Sequence, residues 1–102
     1  MPKKSLGQNF LNDDNTLNKI ADCGEISNND IILEIGPGTG NLTKKLLDRN
    51  PKNIIVVEKD RELTILLKEK FGNKIQIIND DILNCYNNFS AHTQLKIFGN
   101  LP

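Results

Sequence analysis

The chain has 102 residues, of which 37% are hydrophobic and 25% charged, and its 13 basic side chains balance its 13 acidic ones. A chain of this length buries one hydrophobic core, which argues against several domains within it. The balanced charge argues against a strong nucleic-acid clamp, because binding phosphates requires an excess of lysine and arginine on one face. Some basic side chains of the first half could still form a local patch or remain scattered: Lys3, Lys4, Lys44, Lys45, Arg49 and Lys52.

The sequence predicts neither a membrane segment nor a secretory signal. Its apolar runs are far shorter than the about 20 residues that span a bilayer. The basic start, Met1–Lys4, is followed by no apolar segment or small-residue cleavage site, so we expect a cytoplasmic protein. Cys23, Cys85 and His92 stand far apart, which predicts neither a disulfide nor a metal site. We expect both cysteines to fill small apolar spaces.

Apolar residues at helical spacing predict three helices. The first begins at the cap residue Asn12, has two aspartates in its first turn and ends at Gly24. Its apolar face consists of Leu17, Ile20 and Ala21. The apolar faces of the other two helices are Leu42, Leu46 and Leu47, and then Leu63, Leu66, Leu67 and Phe71.

Short apolar runs between and after these helices predict four strands. The runs are Ile31–Ile35, Ile54–Val57, Ile75–Ile78 and Leu95–Phe98. Strands that alternate with helices are typical of βαβ units, and nearly continuous apolar runs are typical of a parallel sheet covered on both faces. Parallel sheets of this kind bind ligands beyond the carboxyl ends of their strands. Glu34 is the one charged residue inside the first strand.

A glycine-rich turn, Glu34–Gly40, separates the first strand from the next helix and predicts a ligand site. Glycines at 36, 38 and 40 allow a tight turn and a close approach of a ligand to the backbone. The dinucleotide fingerprint G-x-G-x-x-G requires a small third residue at position 41, where this chain has Asn41. The spacing therefore favours a nucleoside without phosphates over a dinucleotide.

Carboxylates follow the later strands and indicate what such a ligand would contact. Glu58 ends the second strand, where a carboxylate can accept both hydroxyls of a ribose. Asp81, or Asp80 beside it, could accept a hydrogen bond from an adenine amino group. Together with Glu34 these carboxylates predict a negative crevice, which suits a cation such as the sulfonium of S-adenosylmethionine.

The tripeptide Asn100–Pro102 follows the fourth strand and is a candidate grip on a second ligand. The side-chain carbonyl of Asn100 and a neighbouring backbone carbonyl can both accept hydrogen bonds from one exocyclic amino group. Two acceptors placed in this way would select a planar base that carries an exocyclic amino group. The alternative is an ordinary strand end followed by a proline turn.

From Lys4 to Pro102 the chain resembles the N-terminal part of the ribosomal RNA adenine N6-dimethyltransferases. Five ordered stretches carry the resemblance: Ser5–Leu11, Glu34–Gly40, Val57–Glu58, Asp80–Leu83 and Phe98–Pro102. In that family these stretches are the N-terminal signature, the cofactor loop, the ribose site, the adenine site and the start of the catalytic motif. The resemblance selects Asp81 over Asp80 as the residue that contacts the cofactor adenine.

The resemblance implies an α/β, Rossmann-like class I methyltransferase fold and a set of site residues. The implied S-adenosylmethionine contacts are Asn9, Leu11, Gly36, Gly38, Gly40, Glu58, Asp81 and Asn100. The implied catalytic residues, which hold the target adenine, are Asn100, Leu101 and Pro102. The implied activity is N6-dimethylation of adenines in small-subunit ribosomal RNA by a monomer that binds that RNA or a pre-ribosomal subunit, with no metal.

The family pattern continues after Pro102 with an aromatic residue that stacks on the target adenine, further strands and a small helical domain. We therefore expect residues 1–102 to be the cofactor-binding part of a methyltransferase domain that is truncated after the fourth strand. We expect this chain to bind the cofactor at most. Without the stacking residue, which is worth about 1–3 kcal/mol per base, this chain should not methylate RNA. Two alternatives are an NAD-binding oxidoreductase domain, disfavoured by Asn41, and a non-catalytic ribosome-assembly factor.

Overall fold

Helices and short strands alternate along the chain in the computed structural model, which describes residues 13–89 and 95–99. In chain order they are α1 (Asp14–Cys23), β1 (Ile31–Ile35), α2 (Asn41–Asp48), β2 (Asn53–Glu58), α3 (Arg61–Phe71), β3 (Gln76–Asn79), α4 (Ile82–Cys85) and β4 (Leu95–Gly99). Short 3-10 turns, Gly72–Lys74 and Tyr86–Phe89, follow α3 and α4. No helix in this part of the chain is long and apolar enough to cross a membrane.

The four strands form one parallel sheet in the order β3-β2-β1-β4, which confirms the predicted alternation. The register pairs Ile35 of β1 with Val57 of β2 on one side and with Gly99 of β4 on the other. It also pairs Glu58 with Asn79, the last residues of β2 and β3. All four carboxyl ends therefore lie along one edge of the sheet, where α/β folds bind their ligands.

Side chains that alternate along the central strands separate two hydrophobic clusters, one on each face of the sheet. The first cluster is covered by α1, α2 and α3, and its buried members are Leu17, Ala21, Ile32, Leu42, Leu46, Ile54, Val56, Leu67, Phe71 and Ile75. The second cluster is covered by α4 and the turn after it, and its buried members are Leu33, Ile55, Val57, Cys85 and Phe89. The stretch around Phe89 thus contributes to the core.

Arg49, just after α2, fastens α1 to α2. Its guanidinium donates to the Asp22 carboxylate at 2.8 Å and to the Asn18 side-chain oxygen at 3.2 Å. Lys45 pairs with Asp14 at 3.4 Å on the same pair of helices. These two basic residues, which the sequence placed in a possible basic patch, therefore hold helices together.

Lys96 fastens β4 to the loop between α1 and β1. Its ammonium donates to the carbonyls of Gly24 at 2.6 Å and Glu25 at 2.9 Å, and it pairs with Asp30 at 3.0 Å. Glycine at position 24 lets β4 approach closely, because an added Cβ would lie 2.5 Å from the ring of Phe98, which would have to move. The pKa of the Asp30 carboxyl lies below its ordinary value because it accepts the backbone N–H of Ser27 and a hydrogen bond from Lys96.

Two details of the predicted helices are wrong. Asp13, not Asn12, caps α1: its backbone is extended and its carboxylate accepts the N–H of Asn15 at 2.9 Å. Asn12 lies outside the described residues. In α3 the predicted core residue Leu66 is 41% exposed, because the inward face of the helix carries Thr64 instead.

The two cysteines differ in environment. Cys85 is buried in the second cluster, as predicted. The prediction for Cys23 is wrong, because this residue ends α1 on the exposed side of the helix.

Replacing Lys96 should destabilise the fold by detaching β4. In Lys96→Met the two loop carbonyls and Asp30 lose a charged donor, and hydrogen bonds of that kind contribute about 1.5–3 kcal/mol. The Lys96 side chain is 35% exposed, so we expect the lower end of that range for the free energy of unfolding measured with urea. Lys52→Met, at an exposed position, is the control and should change it by under about 0.5 kcal/mol. Equal losses in the two variants would contradict this role of Lys96.

Candidate functional site

The glycine-rich turn after β1 and the acidic ends of β2 and β3 meet at the carboxyl edge of the sheet. The N–H of Gly36 donates to the carbonyl of Val57 at 2.9 Å, which ties the turn to β2. The side-chain amide of Asn79 donates to the Glu58 carbonyl at 2.9 Å, and the N–H of Asp80 donates to the same carbonyl at 3.2 Å. These contacts hold the three strand ends together.

The glycines of the turn have different roles. Gly36, Gly38 and Gly40 all have positive φ, at 66°, 60° and 89°, a conformation that favours glycine. An added Cβ at Gly38 meets nothing within 4 Å, so this side of the turn is open. At Gly40 it would lie 2.6 Å from the ring of Phe71, and the Gly40 N–H already donates to Pro37. Gly38 is therefore the better candidate ligand contact, and Gly40 lets α3 pack against the turn.

Glu58 ends β2, as the sequence predicted, and lies beside the glycine-rich turn. The residue is 7% exposed, and its carboxylate accepts two backbone N–H groups, that of Gly38 at 3.3 Å and that of Asp60 at 2.9 Å. A carboxylate has about four lone-pair positions, so two of them are left for hydroxyl donors. The turn and Glu58 are thus joined directly, and a ligand on one would touch the other.

Asp80 and Asp81 both lie at this edge, and both have local partners. One oxygen of Asp80, Oδ1, accepts the N–H of Asp81 at 2.7 Å and the side-chain amide of Asn84 at 3.2 Å. Asp81 caps α4 by accepting the N–H of Leu83 at 3.0 Å. The geometry brings both carboxylates to the site and does not choose between them as the adenine contact.

Glu34 does not line the crevice, so its predicted contribution to a negative site is wrong. It is 1% exposed on the sheet face that packs against α2, where the hydroxyl of Thr43 donates a hydrogen bond to its Oε1. Among the described residues its Oε2 has no hydrogen-bond partner. Burial raises the pKa of Glu34 to about 7, and the hydrogen bond from Thr43 opposes this only in part.

Two residues with contacts at or beside the site, Thr43 and Asn79, were not predicted from the sequence. Thr43 lies in α2 and Glu34 in β1, so only the packing of the helix on the sheet joins them. The Asn79 side chain bonds to the carbonyls of Glu58 and Lys59 across two strands. An asparagine at a strand end is a common loop residue, and that weak cue was the one available.

The buried Glu34 carboxyl should make stability fall as the pH rises. Its pKa of about 7 in the fold exceeds the ordinary 4.5, so between these values the unfolded chain is ionised while the folded chain keeps the proton. Above pH 7 the ionised Glu34 lowers the free energy of unfolding by about 3 kcal/mol, at ~1.4 kcal/mol per pKa unit. Well below pH 4.5 the carboxyl is protonated in both states, and this loss disappears. Urea unfolding from pH 5 to 8 should show this decline in the wild type and a flatter profile in Glu34→Gln.

Thr43→Val is the companion variant for that experiment. It removes the hydroxyl that favours the ionised form, so the decline should become larger and extend to higher pH. The interpretation is wrong if Glu34→Gln keeps the slope of the wild type.

Replacing Gly38 and replacing Gly40 with alanine should lower the free energy of unfolding by different amounts. Gly40→Ala places a Cβ against the Phe71 ring as well as at positive φ, so it should cost more than the about 1–2 kcal/mol of a left-handed alanine alone. Gly38→Ala carries the backbone cost without the clash. Chemical denaturation should therefore rank Gly40→Ala as the less stable variant, and the reverse ranking would contradict the packing role of Gly40.

Five predicted site residues lie outside the described residues: Asn9, Leu11, Asn100, Leu101 and Pro102. The described part of β4 ends at Gly99, opposite Ile35. Within 13–89 and 95–99, no group of three or more His, Cys, Asp or Glu side chains is arranged to hold a metal ion. Within the described residues, the site consists of the glycine-rich turn and the carboxylates of Glu58, Asp80 and Asp81.

Comparison with known sequences gives one family and a consistent set of relatives. The family model described as ribosomal RNA adenine dimethylase matches residues 2–102. The chain is 55% identical over 100 residues to ribosomal RNA small subunit methyltransferase A of Pelagibacter ubique (strain HTCC1062), covering 98% of this chain and 38% of that protein. It is 45% identical over 105 residues to the protein of the same name in Sulfurihydrogenibium sp. (strain YO3AOP1), covering 99% and 41%. The chain thus spans about two fifths of these curated relatives.

Two solved structures superpose on most of the chain. The 23S rRNA methyltransferase ErmE superposes with a TM-score of 0.72 at 30% identity, over 88% of this chain and 36% of that one. A dimethyladenosine transferase from Plasmodium falciparum superposes with a TM-score of 0.72 at 29% identity, over 88% and 32%. Both similarities cover most of the present chain and about a third of the other.

Proposed function

Because the chain belongs to the ribosomal RNA adenine dimethylase family, we propose that it forms the cofactor-binding part of an enzyme that dimethylates N6 of adenines in small-subunit ribosomal RNA. The parallel sheet and its structural neighbours confirm the predicted class I methyltransferase fold. In this proposal residues 1–102 are the N-terminal part of the methyltransferase domain. The names of the curated relatives support a small-subunit RNA substrate.

The observation that carries the proposal is the direct contact between the glycine turn and Glu58. The N–H of Gly38 reaches the Glu58 carboxylate at 3.3 Å, so one nucleoside could touch both the open side of the turn and the acidic strand end. The two lone-pair positions of Glu58 that the described residues leave unused match the two hydroxyl donors of a ribose. The carboxylates of Glu58, Asp80 and Asp81 at this edge also favour a cationic ligand over an anionic one.

The residues present fit S-adenosylmethionine. Glu58 would accept the ribose hydroxyls, Asp81 would accept the adenine amino group, and the turn at Gly36 and Gly38 would approach the ligand through its backbone. When bound, S-adenosylmethionine supplies the methyl group to be transferred. The carboxylates of this chain would hold and orient it without acting as general acids or bases.

The remaining roles rest on the family resemblance. Asn9 and Leu11 would complete the cofactor site, and Asn100 would contact both the cofactor and the target adenine. Leu101 and Pro102 would hold that adenine together with Asn100. The side-chain carbonyl of Asn100 and a neighbouring backbone carbonyl would accept hydrogen bonds from the N6 amino group. Such a grip would keep the lone pair of the amine directed at the methyl group.

The NAD-binding alternative is disfavoured at the same edge of the sheet. Asn41 stands where a dinucleotide fingerprint needs a small residue, and it begins α2 directly after the turn. Glu58, Asp80 and Asp81 would also repel a pyrophosphate. A role as a ribosome-assembly factor uses the same RNA partner and is compatible with the proposed site.

Titration of the chain with S-adenosylmethionine in a calorimeter should show saturable binding, and NAD should show none. Circular dichroism establishes that the sample is folded. A folded chain that binds NAD in preference, or that binds neither ligand, would overturn the proposed site.

Removing the Glu58 carboxylate should weaken that binding. Loss of a hydrogen-bond partner of this charge costs about 1–3 kcal/mol, so Glu58→Ala should raise the Kd for S-adenosylmethionine by roughly five- to 150-fold. Glu62→Ala, in the exposed first turn of α3, is the matched control and should leave the Kd unchanged. Unchanged affinity in Glu58→Ala would place the ribose elsewhere.

A further inference from the structure

A groove of about 580 Å³ lies between α2 and the end of α3 and shares no residue with the proposed cofactor site. Its polar rim includes Lys44, Lys70 and Lys74, against one acidic residue, Asp48. All three lysines are exposed. The chain as a whole has no net charge, so three cations around one groove are a local concentration of positive charge.

These lysines differ from the basic residues that the fold uses. Lys45, Arg49 and Lys96 each pair with an aspartate. Across the described ranges, 13–89 and 95–99, neither Lys44 nor Lys74 forms an ion pair. Uncompensated cations that converge on a concave surface attract polyanions.

Lys70 connects the groove to the glycine-rich turn. Its ammonium donates to the carbonyl of Thr39 at 2.9 Å and lies 5.6 Å from the centre of the Phe71 ring. A carbonyl satisfies one N–H but does not neutralise the charge, so Lys70 still contributes to the potential of the groove. Phe71 itself is 7% exposed, which leaves its ring unable to stack on a base.

We infer that this groove binds the phosphodiester backbone of RNA through Lys44, Lys70 and Lys74. Lysine ammonium groups act as point charges that suit phosphates, whereas the described lining of the groove includes no exposed aromatic ring for reading bases. The contact would therefore be independent of sequence and would position the RNA beside the methyltransferase site. This inference rests on the proposed function, since it takes the polyanion to be the RNA substrate.

The test is the salt dependence of RNA binding by the whole chain, measured by fluorescence anisotropy with short labelled single-stranded RNAs of two sequences. Each phosphate contact to a single strand contributes about 0.7 to the slope of log K against log salt. The double variant Lys44→Gln with Lys74→Gln should lower the slope by about 1.4. Affinity near 0.1 M salt should fall roughly 20-fold, equally for both sequences.

The matched control is Lys19→Gln with Lys52→Gln, which removes the same charge from exposed positions outside the groove. It should leave the slope and the RNA affinity close to those of the wild type. Equal losses in both double variants would overturn the inference, because diffuse net charge would then explain the binding. Failure of the folded wild type to bind RNA, or equal binding to inorganic phosphate or to anionic lipid vesicles, would also overturn it.

Cofactor affinity separates this inference from the proposed function. S-adenosylmethionine should bind the groove variant as tightly as it binds the wild type, because none of the substituted lysines lies at the Glu58 site. If RNA binding depends on the groove while S-adenosylmethionine fails to bind, the groove stands and the cofactor proposal falls. If the groove variant loses both affinities together, the groove has no separate role.

Discussion

The candidate site depends on how the glycine-rich turn is held between β1, β2 and α2. Parallel pairing of β1 with β2 places the turn beside the end of β2, and the hydrogen bond from Gly36 to Val57 extends that pairing by one residue. The Gly38 N–H then lies against Glu58. A different register of these two strands would turn the alternate side chains to the other face and separate the turn from its carboxylate. Every proposed cofactor contact in the described chain depends on this pairing.

The strand that leads into the turn carries a buried carboxyl, which lowers the stability of the fold. Glu34, one strand position before the turn, is buried between the sheet and α2 with the hydroxyl of Thr43 as its described partner. A buried carboxyl with one oxygen that no described residue pairs destabilises a fold, because an apolar residue in its place would need no desolvation. The hydrogen bond to Thr43 nevertheless links the strand before the turn to the helix after it. Stability and the shape of the turn are therefore opposed at this position.

The basic residues divide into two groups by what lies next to them. Arg49 and Lys96 are held by several oxygen atoms each, and both connect elements that are distant in sequence, α1 to α2 and β4 to the loop before β1. Lys44 and Lys74 face a groove and have no acidic partner within the described residues. Surface lysines with and without partners cannot be told apart by composition, since pairing depends on which helices are neighbours. The neutral total charge of the chain thus conceals one face with a local positive excess.

The sequence alone determined the order of the first three helices and the four strands, the parallel sheet and the identity of Glu58 as the acidic end of β2, whereas the short helix α4 was not predicted. These features follow from local spacing: apolar runs set the strands, helical periods set the helices, and glycines at 36, 38 and 40 set the turn. The tertiary structure decided which charged side chains are exposed and unpaired, and so able to contact a ligand. It buried Glu34, placed Gly40 against Phe71 and occupied Lys45 and Arg49 in ion pairs. The reason is that burial and pairing depend on contacts between residues far apart in the chain, which no local pattern records.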